Sequence, residues 1–190
     1  MTEPMQKEYA KLRRRPFLTP VWLTALGGLL ALVLLAWAVL SASTTTVYVL
    51  RHAEQAEDGS KDPPLSPAGQ ARAERLRELF AGGGTGIGID GIIVSGLRRS
   101  QDTAKPLADA RGIPVIVVDA SQPGETARRA LHDFRGGRVL VIGHSNTVPA
   151  IVEALSGQAV PAMEEDDFST IYVVARPRYS PASVSVLQLP

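Results

Sequence analysis

The sequence predicts a three-layer α/β domain with a mainly parallel central sheet, preceded by one transmembrane helix. Through residues 44–190, short apolar runs alternate with segments of helical periodicity, which is typical of parallel sheets covered by helices. Residues 16–50 contain no Asp, Glu, Lys, Arg or His, so they form a separate apolar segment. The 190 residues leave room for one ordinary domain after that segment.

Six apolar runs are predicted strands, and four segments between them are predicted helices. The first four runs have the continuity of strands that are buried on both faces. The first helix begins with Ser66 as N-cap and Pro67 at its first helical position. The predicted strands cover residues 47–50, 92–94, 115–118, 139–142, 170–174 and 183–189. The predicted helices cover residues 66–80, 98–110, 125–134 and 147–155.

An uncharged run at residues 21–40 has the length of a membrane-spanning helix. Its 20 residues would rise about 30 Å as a helix, which is the thickness of a bilayer hydrocarbon core. Trp22 and Trp37 lie near its ends, where aromatic side chains meet the headgroups. Three arginines at residues 13–15 precede it, so the positive-inside rule places the N-terminus in the cytoplasm.

We therefore expect a single-pass protein of the cytoplasmic membrane. Residues 1–16 form a cytoplasmic basic tail, residues 17–42 a signal anchor in the lipid bilayer, and residues 44–190 a periplasmic domain. A cleaved signal peptide is the main alternative, because Ser41-Ala42-Ser43 resembles a cleavage site. The apolar run is longer than the apolar region of most signal peptides, which favours the uncleaved anchor.

The composition excludes several classes of function. The chain has no Cys, which rules out disulfides, thiolate metal sites and a cysteine nucleophile. Its formal net charge is +1, far from the basic excess of a nucleic-acid-binding protein. We therefore expect no nucleic-acid partner.

Basic side chains follow three of the predicted strands. Arg51 and His52 follow the first strand, Arg98 and Arg99 come shortly after the second, and His144 comes after the fourth. Ligands of open α/β sheets bind beyond the carboxyl ends of the strands, so these groups should converge. Imidazoles and guanidiniums gathered at one place would repel one another without an anion, and a phosphate dianion would satisfy them.

These segments resemble the histidine phosphatase superfamily, also called phosphoglycerate mutase-like. Arg51-His52-Ala53-Glu54 is similar to its Arg-His-Gly-Glu signature, in the form typical of the small branch that contains phosphohistidine phosphatases. Leu65 to Gly69, Ser95 to Ala104 and Gly143-His144-Ser145 resemble three further motifs in the same order. Two departures stand out, since Gly96 replaces a Pro and Asp102 replaces a Gln.

The resemblance implies a covalent mechanism with His52 as the nucleophile. His52 would attack phosphorus with one unprotonated nitrogen while an acceptor holds its other N–H. Arg51, Arg99 and His144 would bind the phosphate oxygens, and the phosphate would favour protonated His144.

Two assignments stay open at this stage. Either Glu125, through a raised pKa, or His144 would protonate the leaving group, and Glu125 has the alternative of a helix-terminal carboxylate. Asn146 would bind phosphate or cap the following helix. The candidate residues show no metal-ligand spacing, so we expect neither a metal nor a cofactor.

The expected function is a membrane-anchored phosphomonoesterase. Its substrate would be a phosphomonoester, with envelope-linked phosphates favoured by the nearby bilayer. A phosphohistidine protein phosphatase is one alternative, and a non-catalytic phospholigand-binding module is another.

Overall fold

A computed structural model of the chain describes residues 21–41, 44–82 and 86–189. Its described residues fall into two compact units that divide near residue 40. In the first unit, helix α1 spans Val21–Ser41, and 19 of its residues form an apolar stretch with a mean hydropathy of 2.2. This helix has the length and composition of a membrane anchor or of a signal sequence. The predicted basic tail at residues 1–16 lies outside the described residues.

The second unit is a six-stranded mixed sheet with helices. Its elements are β1 Thr44–Arg51, α2 Pro67–Phe80, β2 Gly91–Val94, α3 Arg98–Arg111, β3 Val115–Val117, α4 Pro123–Asp133, β4 Arg138–Gly143, α5 Val148–Ser156, β5 Thr170–Pro177 and β6 Ser183–Gln188. The strand order is β3-β2-β4-β1-β5-β6. The first four strands in this order are parallel, and β5 is antiparallel to both of its neighbours. The predicted α/β class and mainly parallel sheet are confirmed.

The sheet is covered on both faces, which produces three layers. In β1, Val47 and Val49 belong to the apolar cluster that also contains residues of α4 and α5. Tyr48 and Leu50 point to the opposite face, where their cluster includes residues of α2 and α3. Alternate residues of a strand face opposite sides of its sheet, so a strand that is apolar throughout needs cover on both sides.

One predicted buried strand is an exposed edge strand. Val115 and Val117 are 41% and 56% exposed, although the apolar run predicted burial. The prediction of burial is wrong for β3 because this strand lies at the end of the strand order, where it has only β2 as a neighbour.

Helix α2 is held tightly against the loop that follows β1. Ser66 caps the helix, since its hydroxyl accepts a hydrogen bond from the Gly69 amide at 3.1 Å. A Cβ atom at Gly69 would lie 2.1 Å from the carbonyl oxygen of Glu54, so only glycine permits this approach. Glu54 also forms a two-pronged ion pair with Arg72 of α2, with a shortest N–O distance of 2.7 Å. These contacts fix the segment that carries His52.

Candidate active site

A cavity of about 570 Å³ lies at the carboxyl edge of the parallel strands. The expected phosphate-binding side chains all line it: Arg51, His52, Arg99, His144 and Asn146. Its other lining residues are Gln55, Leu97, Ala120, Ser121, Ser145, Thr147 and Glu165. A larger groove of about 680 Å³ between α2 and α3 contains no histidine, so the chemistry selects the smaller cavity.

The His52 ring is held by two hydrogen bonds of opposite sense. Its Nδ1 lies 2.8 Å from the Ala53 carbonyl oxygen, and Arg99 Nε donates to its Nε2 at 3.1 Å. A guanidinium has only donors and a carbonyl only accepts, so Nδ1 carries the proton and Nε2 carries the lone pair. The ring therefore has the predicted arrangement: an acceptor holds its Nδ1–H, and its unprotonated Nε2 faces Arg99.

Burial keeps the His52 ring neutral. The residue is 4% exposed, and its desolvation is the main cause that lowers its pKa from 6.5 to about 4. The charges of His144, Arg99 and Arg51 act in the same direction, whereas the hydrogen bond to Ala53 opposes it. A neutral imidazole at pH 7 retains the lone pair that a nucleophile needs.

His144 faces His52 across the cavity, with the two ring centroids 5.1 Å apart. Its Nε2 lies 2.9 Å from the Ser95 hydroxyl, and its Nδ1 is buried with no partner among the described residues. Burial first, and then the charges of Arg99 and Arg51, lower the pKa of His144 to about 4. The protein groups alone therefore favour neutral His144, and a bound dianion would have to supply the attraction for the protonated form.

Arg51 is positioned by the segment before β5. Its Nη1 donates to the backbone carbonyls of Glu164, at 3.3 Å, and of Glu165. Its guanidinium lies 4.2 Å from the ring centroid of Phe168, and its buried Nε has no partner among the residues described. The contact with Phe168 is a cation–π interaction, which holds the planar group without consuming its donors.

Arg99 is positioned by a residue that sequence reasoning missed. The Asp62 carboxylate lies 3.8 Å from Arg99 Nη1, and both of its oxygens lie 3.0 Å from the Arg98 amide. Leu97, the N-cap residue of α3, offers no side-chain hydrogen bond. Asp62 therefore caps α3 from a distant loop and orients the guanidinium that contacts His52.

The comparison with known families agrees with this geometry. Residues 47–121 match the model of the histidine phosphatase superfamily, branch 1. Residues 47–121 therefore carry the sequence pattern of this superfamily. The probable phosphoglycerate mutase GpmB of Enterobacter sp. (strain 638) is 36% identical over 77 residues, which are 37% of this chain and 34% of that protein. The match thus spans about a third of the length of this curated relative.

Solved structures of similar proteins share the fold of this chain. The protein histidine phosphatase SixA, complexed with tungstate, has a TM-score of 0.59 at 22% identity over 75% of this chain and 96% of that chain. Bacillus stearothermophilus YhfR has a TM-score of 0.60 at 16% identity over 77% and 98%. The mycobacterial glucosyl-3-phosphoglycerate phosphatase has a TM-score of 0.55 at 16% identity over 77% and 100%. At these identities the likeness establishes the fold.

Two residues of the cavity motifs connect separate segments of the chain. The Thr103 hydroxyl accepts from the Ala53 amide at 3.0 Å and donates to the Arg99 carbonyl at 2.7 Å. It therefore joins the loop of His52 to the helix of Arg99. Ser95 forms a similar link, since its hydroxyl lies 3.0 Å from that of Ser100 and also contacts His144.

Glu125 does not line the cavity. Its carboxylate makes two hydrogen bonds of 2.6 Å to Arg128, one helical turn away. This contact lowers the pKa of Glu125, so the expected raised pKa is wrong. The carboxylate belongs to the first turn of α4, where the helix dipole also favours its charge.

Asn146 lies at the cavity, and the alternative role of helix cap is wrong. The N-cap residue of α5 is Thr147, one position later, and it makes no side-chain capping hydrogen bond. The exposed Asn146 side chain thus stays available to a ligand in the cavity. Within residues 21–41, 44–82 and 86–189, no group of three His, Cys, Asp or Glu has the arrangement of a metal site.

The depressed pKa values predict that the domain loses stability as the pH falls from about 6.5 to about 4. In that window the unfolded chain binds protons at both imidazoles, whereas the folded domain does not. The free energy of unfolding therefore falls by at most about 1.4 kcal/mol per pH unit for each of the two histidines. Denaturant unfolding across this window measures the effect. The double variant His52→Gln/His144→Gln should show a smaller slope, and equal slopes would contradict the assignment.

Replacing Asp62 should separate its two roles. Asp62→Asn keeps an oxygen for the Arg98 amide but loses the ion pair, so kcat for an aryl phosphate should fall severalfold without a rise in KM. Asp62→Ala also loses the cap, which should lower the free energy of unfolding by about 1 kcal/mol. Asp58→Asn in the same loop is the matched control, since the Asp58 carboxylate bonds to Ser60 and forms no ion pair with Arg99 among the described residues. Unchanged kcat in both Asp62 variants would contradict the positioning role.

Proposed function

We propose that this histidine phosphatase hydrolyses phosphomonoesters through a covalent phosphohistidine at Nε2 of His52. One observation carries the proposal: a buried, neutral imidazole presents its lone pair in a cavity that two guanidiniums and a second imidazole also line. The bound phosphate is a dianion, and its charge is compensated by the cations that the fold gathers there.

The substrate oxygens have donors on each side of the nucleophile. Arg99 gives up its hydrogen bond to Nε2 and binds the incoming phosphate instead. The Nε of Arg51 and the Nδ1 of His144 are buried and have no partner among the described residues, and in the proposed complex each would donate to a phosphate oxygen. Positioning and charge compensation supply most of the catalysis in phosphoryl transfer, which suits a site of this composition.

The reaction proceeds in two displacements. The Nε2 lone pair forms a bond to phosphorus while the ester P–O bond breaks, and the leaving oxygen takes a proton. Water then attacks phosphorus, the P–N bond breaks, and the imidazole recovers its lone pair as inorganic phosphate forms. The proposed chemistry needs no metal ion.

The supply of the leaving-group proton favours a particular kind of substrate. Of the described residues that line the cavity, Glu165 is the only carboxylic acid, and its side chain is exposed. Groups whose departure needs no acid from the protein therefore suit the site better than alkoxides: an aryl oxide, or an imidazole whose other ring nitrogen has taken a proton from solvent.

A phosphohistidine protein phosphatase is the second candidate function. The weak provision for acid catalysis favours it, because the P–N bond of phosphohistidine breaks more readily than the P–O bond of an alkyl phosphate. The protein histidine phosphatase SixA, which shares the fold, is described with bound tungstate, a tetrahedral oxyanion like phosphate. The predicted periplasmic location opposes this candidate, since it separates the domain from cytoplasmic phosphoproteins.

We also propose that helix α1 remains attached as a membrane anchor and that the phosphatase domain is periplasmic. The support is the uncharged, 19-residue apolar stretch of α1, the basic residues that precede it and the absence of Lys and Arg between residues 16 and 50. Phosphates linked to the cell envelope are then within the same compartment as the domain.

Substitution of the nucleophile tests the catalytic proposal. The full chain in detergent should hydrolyse an aryl phosphate in the presence of a chelator, with slower turnover of alkyl phosphates. His52→Ala should lower kcat by roughly a thousandfold or more, because the covalent route is lost. Glu125→Gln is the control and should retain activity, since Glu125 pairs with Arg128. Wild-type turnover in the His52 variant would overturn the mechanism, and phosphate binding without turnover would favour a binding module.

Reporter fusions test the proposed membrane topology. Alkaline phosphatase fused after residue 190 should be active in cells, because it folds only in the periplasm, and a fluorescent protein at the same position should be dark. The chain should also keep its full length in isolated membranes. Fluorescence of the second fusion would reverse the orientation and favour the cytoplasmic phosphohistidine phosphatase.

A further inference from the structure

Three arginines lie together at the end of the sheet opposite the histidines. Arg135, Arg176 and Arg178 line a cavity of about 240 Å³ that also contacts Thr45. Thr45 is at the amino end of β1, whereas His52 follows its carboxyl end. A strand rises about 3.3 Å per residue, so roughly 20 Å separate the two ends. We call Arg135, Arg176 and Arg178 the arginine cluster.

The backbone brings the members of the arginine cluster together. Arg176 pairs with Thr45 in the ladder between β1 and β5. Arg178 follows two residues later, in the bend just beyond β5, and lines the same cavity. The Gly136 amide donates to the Thr45 hydroxyl at 2.9 Å, which holds the loop of Arg135 against the same strand.

The charge of the arginine cluster is not compensated locally. All three side chains belong to exposed residues, and no described carboxylate lies within 4.0 Å of their nitrogens. The nearest acidic residue in sequence, Asp133, is already paired with Arg129 and with His132. The arginine cluster therefore carries three positive charges that the proposed phosphatase mechanism does not use.

An exposed aromatic side chain accompanies these charges. The guanidinium of Arg178 lies 5.2 Å from the ring centroid of Tyr179, which is 68% exposed. Arginine and tyrosine together are typical of surfaces at the boundary between water and lipid, because each has an apolar body and a polar tip.

We propose that the arginine cluster and Tyr179 bind anionic phospholipid headgroups of the bilayer in which α1 is anchored. The inference rests on the membrane anchor of the proposed function. Residues 42 and 43 alone separate the last residue of α1 from Thr44, a link of at most about 11 Å. Arginines close to an anionic lipid surface contribute to binding through electrostatic attraction, which is screened over a short distance. The short link allows this end of the domain to come within that distance of the lipid surface.

This surface also constrains the substrate of the active site. With the amino end of β1 at the headgroups, the cavity of His52 opens roughly 20 Å from the lipid surface. A phosphate on a lipid headgroup of the same bilayer then lies out of reach. Phosphates on soluble molecules, on proteins or on long surface saccharides are within reach.

Fluorescence quenching in vesicles tests the proposal with the full chain. The protein has no Cys, so Ser180→Cys places one dye beside the arginine cluster and Ser60→Cys places one at the opposite edge. Vesicles carry a headgroup quencher in either phosphatidylcholine or a mixture with phosphatidylglycerol. Quenching at residue 180 should increase with phosphatidylglycerol and fall at high salt, whereas quenching at residue 60 should remain low.

Charge removal is the decisive comparison. Arg135→Gln/Arg176→Gln/Arg178→Gln should shift the equilibrium between bound and free domain by about a hundredfold and abolish the effect of phosphatidylglycerol. The matched control Arg75→Gln/Lys105→Gln/Arg128→Gln removes the same charge from the helices. This control should still respond to phosphatidylglycerol. Aryl phosphate hydrolysis should be unchanged in the first variant, which shows that it folds.

The remaining outcomes separate this inference from the anchor. A chain that floats with neutral vesicles but shows no response to phosphatidylglycerol would overturn the arginine cluster as a lipid site and leave the anchor intact. A chain that floats with neither vesicle would overturn the anchor and the inference together. A third outcome is that the chain binds inorganic phosphate, the triple arginine variant loses that binding, and vesicles have no effect. The arginines would then bind a soluble anion, and the lipid proposal would be overturned.

Discussion

The site depends on the two hydrogen bonds that hold the ring of His52. The Ala53 carbonyl takes the proton of Nδ1, and the Arg99 guanidinium donates to Nε2, so the tautomer and the ring orientation are both determined. Burial disfavours the protonated ring and leaves a neutral nitrogen among positive groups. The same positive groups that lower the pKa of His52 would attract a phosphate, so in the proposed mechanism one electrostatic arrangement both prepares the nucleophile and binds its target.

The surrounding contacts show why the motif residues occur where they do. Thr103 ties the His52 loop to the helix of Arg99, and Gly69 allows α2 to approach the Glu54 carbonyl. Most of the motif thus supports the nucleophile rather than the substrate. A site with charged donors tolerates little movement, because a displaced donor no longer compensates the charge that develops on the phosphate. These supporting contacts therefore belong to the catalytic apparatus as much as the charged groups do.

The two ends of the sheet have different chemistry. Its carboxyl end gathers the imidazoles and guanidiniums of the candidate active site, where ligands of open α/β sheets bind. Its amino end carries the arginine cluster, next to the point where the apolar helix joins the domain in sequence. A single-pass anchor restricts which end of a domain can approach the bilayer, and the proposed lipid contact would keep the catalytic cavity open to water.

The sequence by itself determined the order of the elements, the sheet class and the four basic side chains of the cavity, because apolar periodicity and local motifs encode them within a few residues. It did not reveal Asp62, which reaches Arg98 across 36 positions, or Phe168, which stacks on Arg51 from the far end of the chain. The same limit applies to Glu125, because its pKa is lowered by the hydrogen bonds to Arg128 that form in the folded helix. Only the tertiary structure decides which distant side chains meet, since hydrogen bonds and desolvation act through space and not along the sequence.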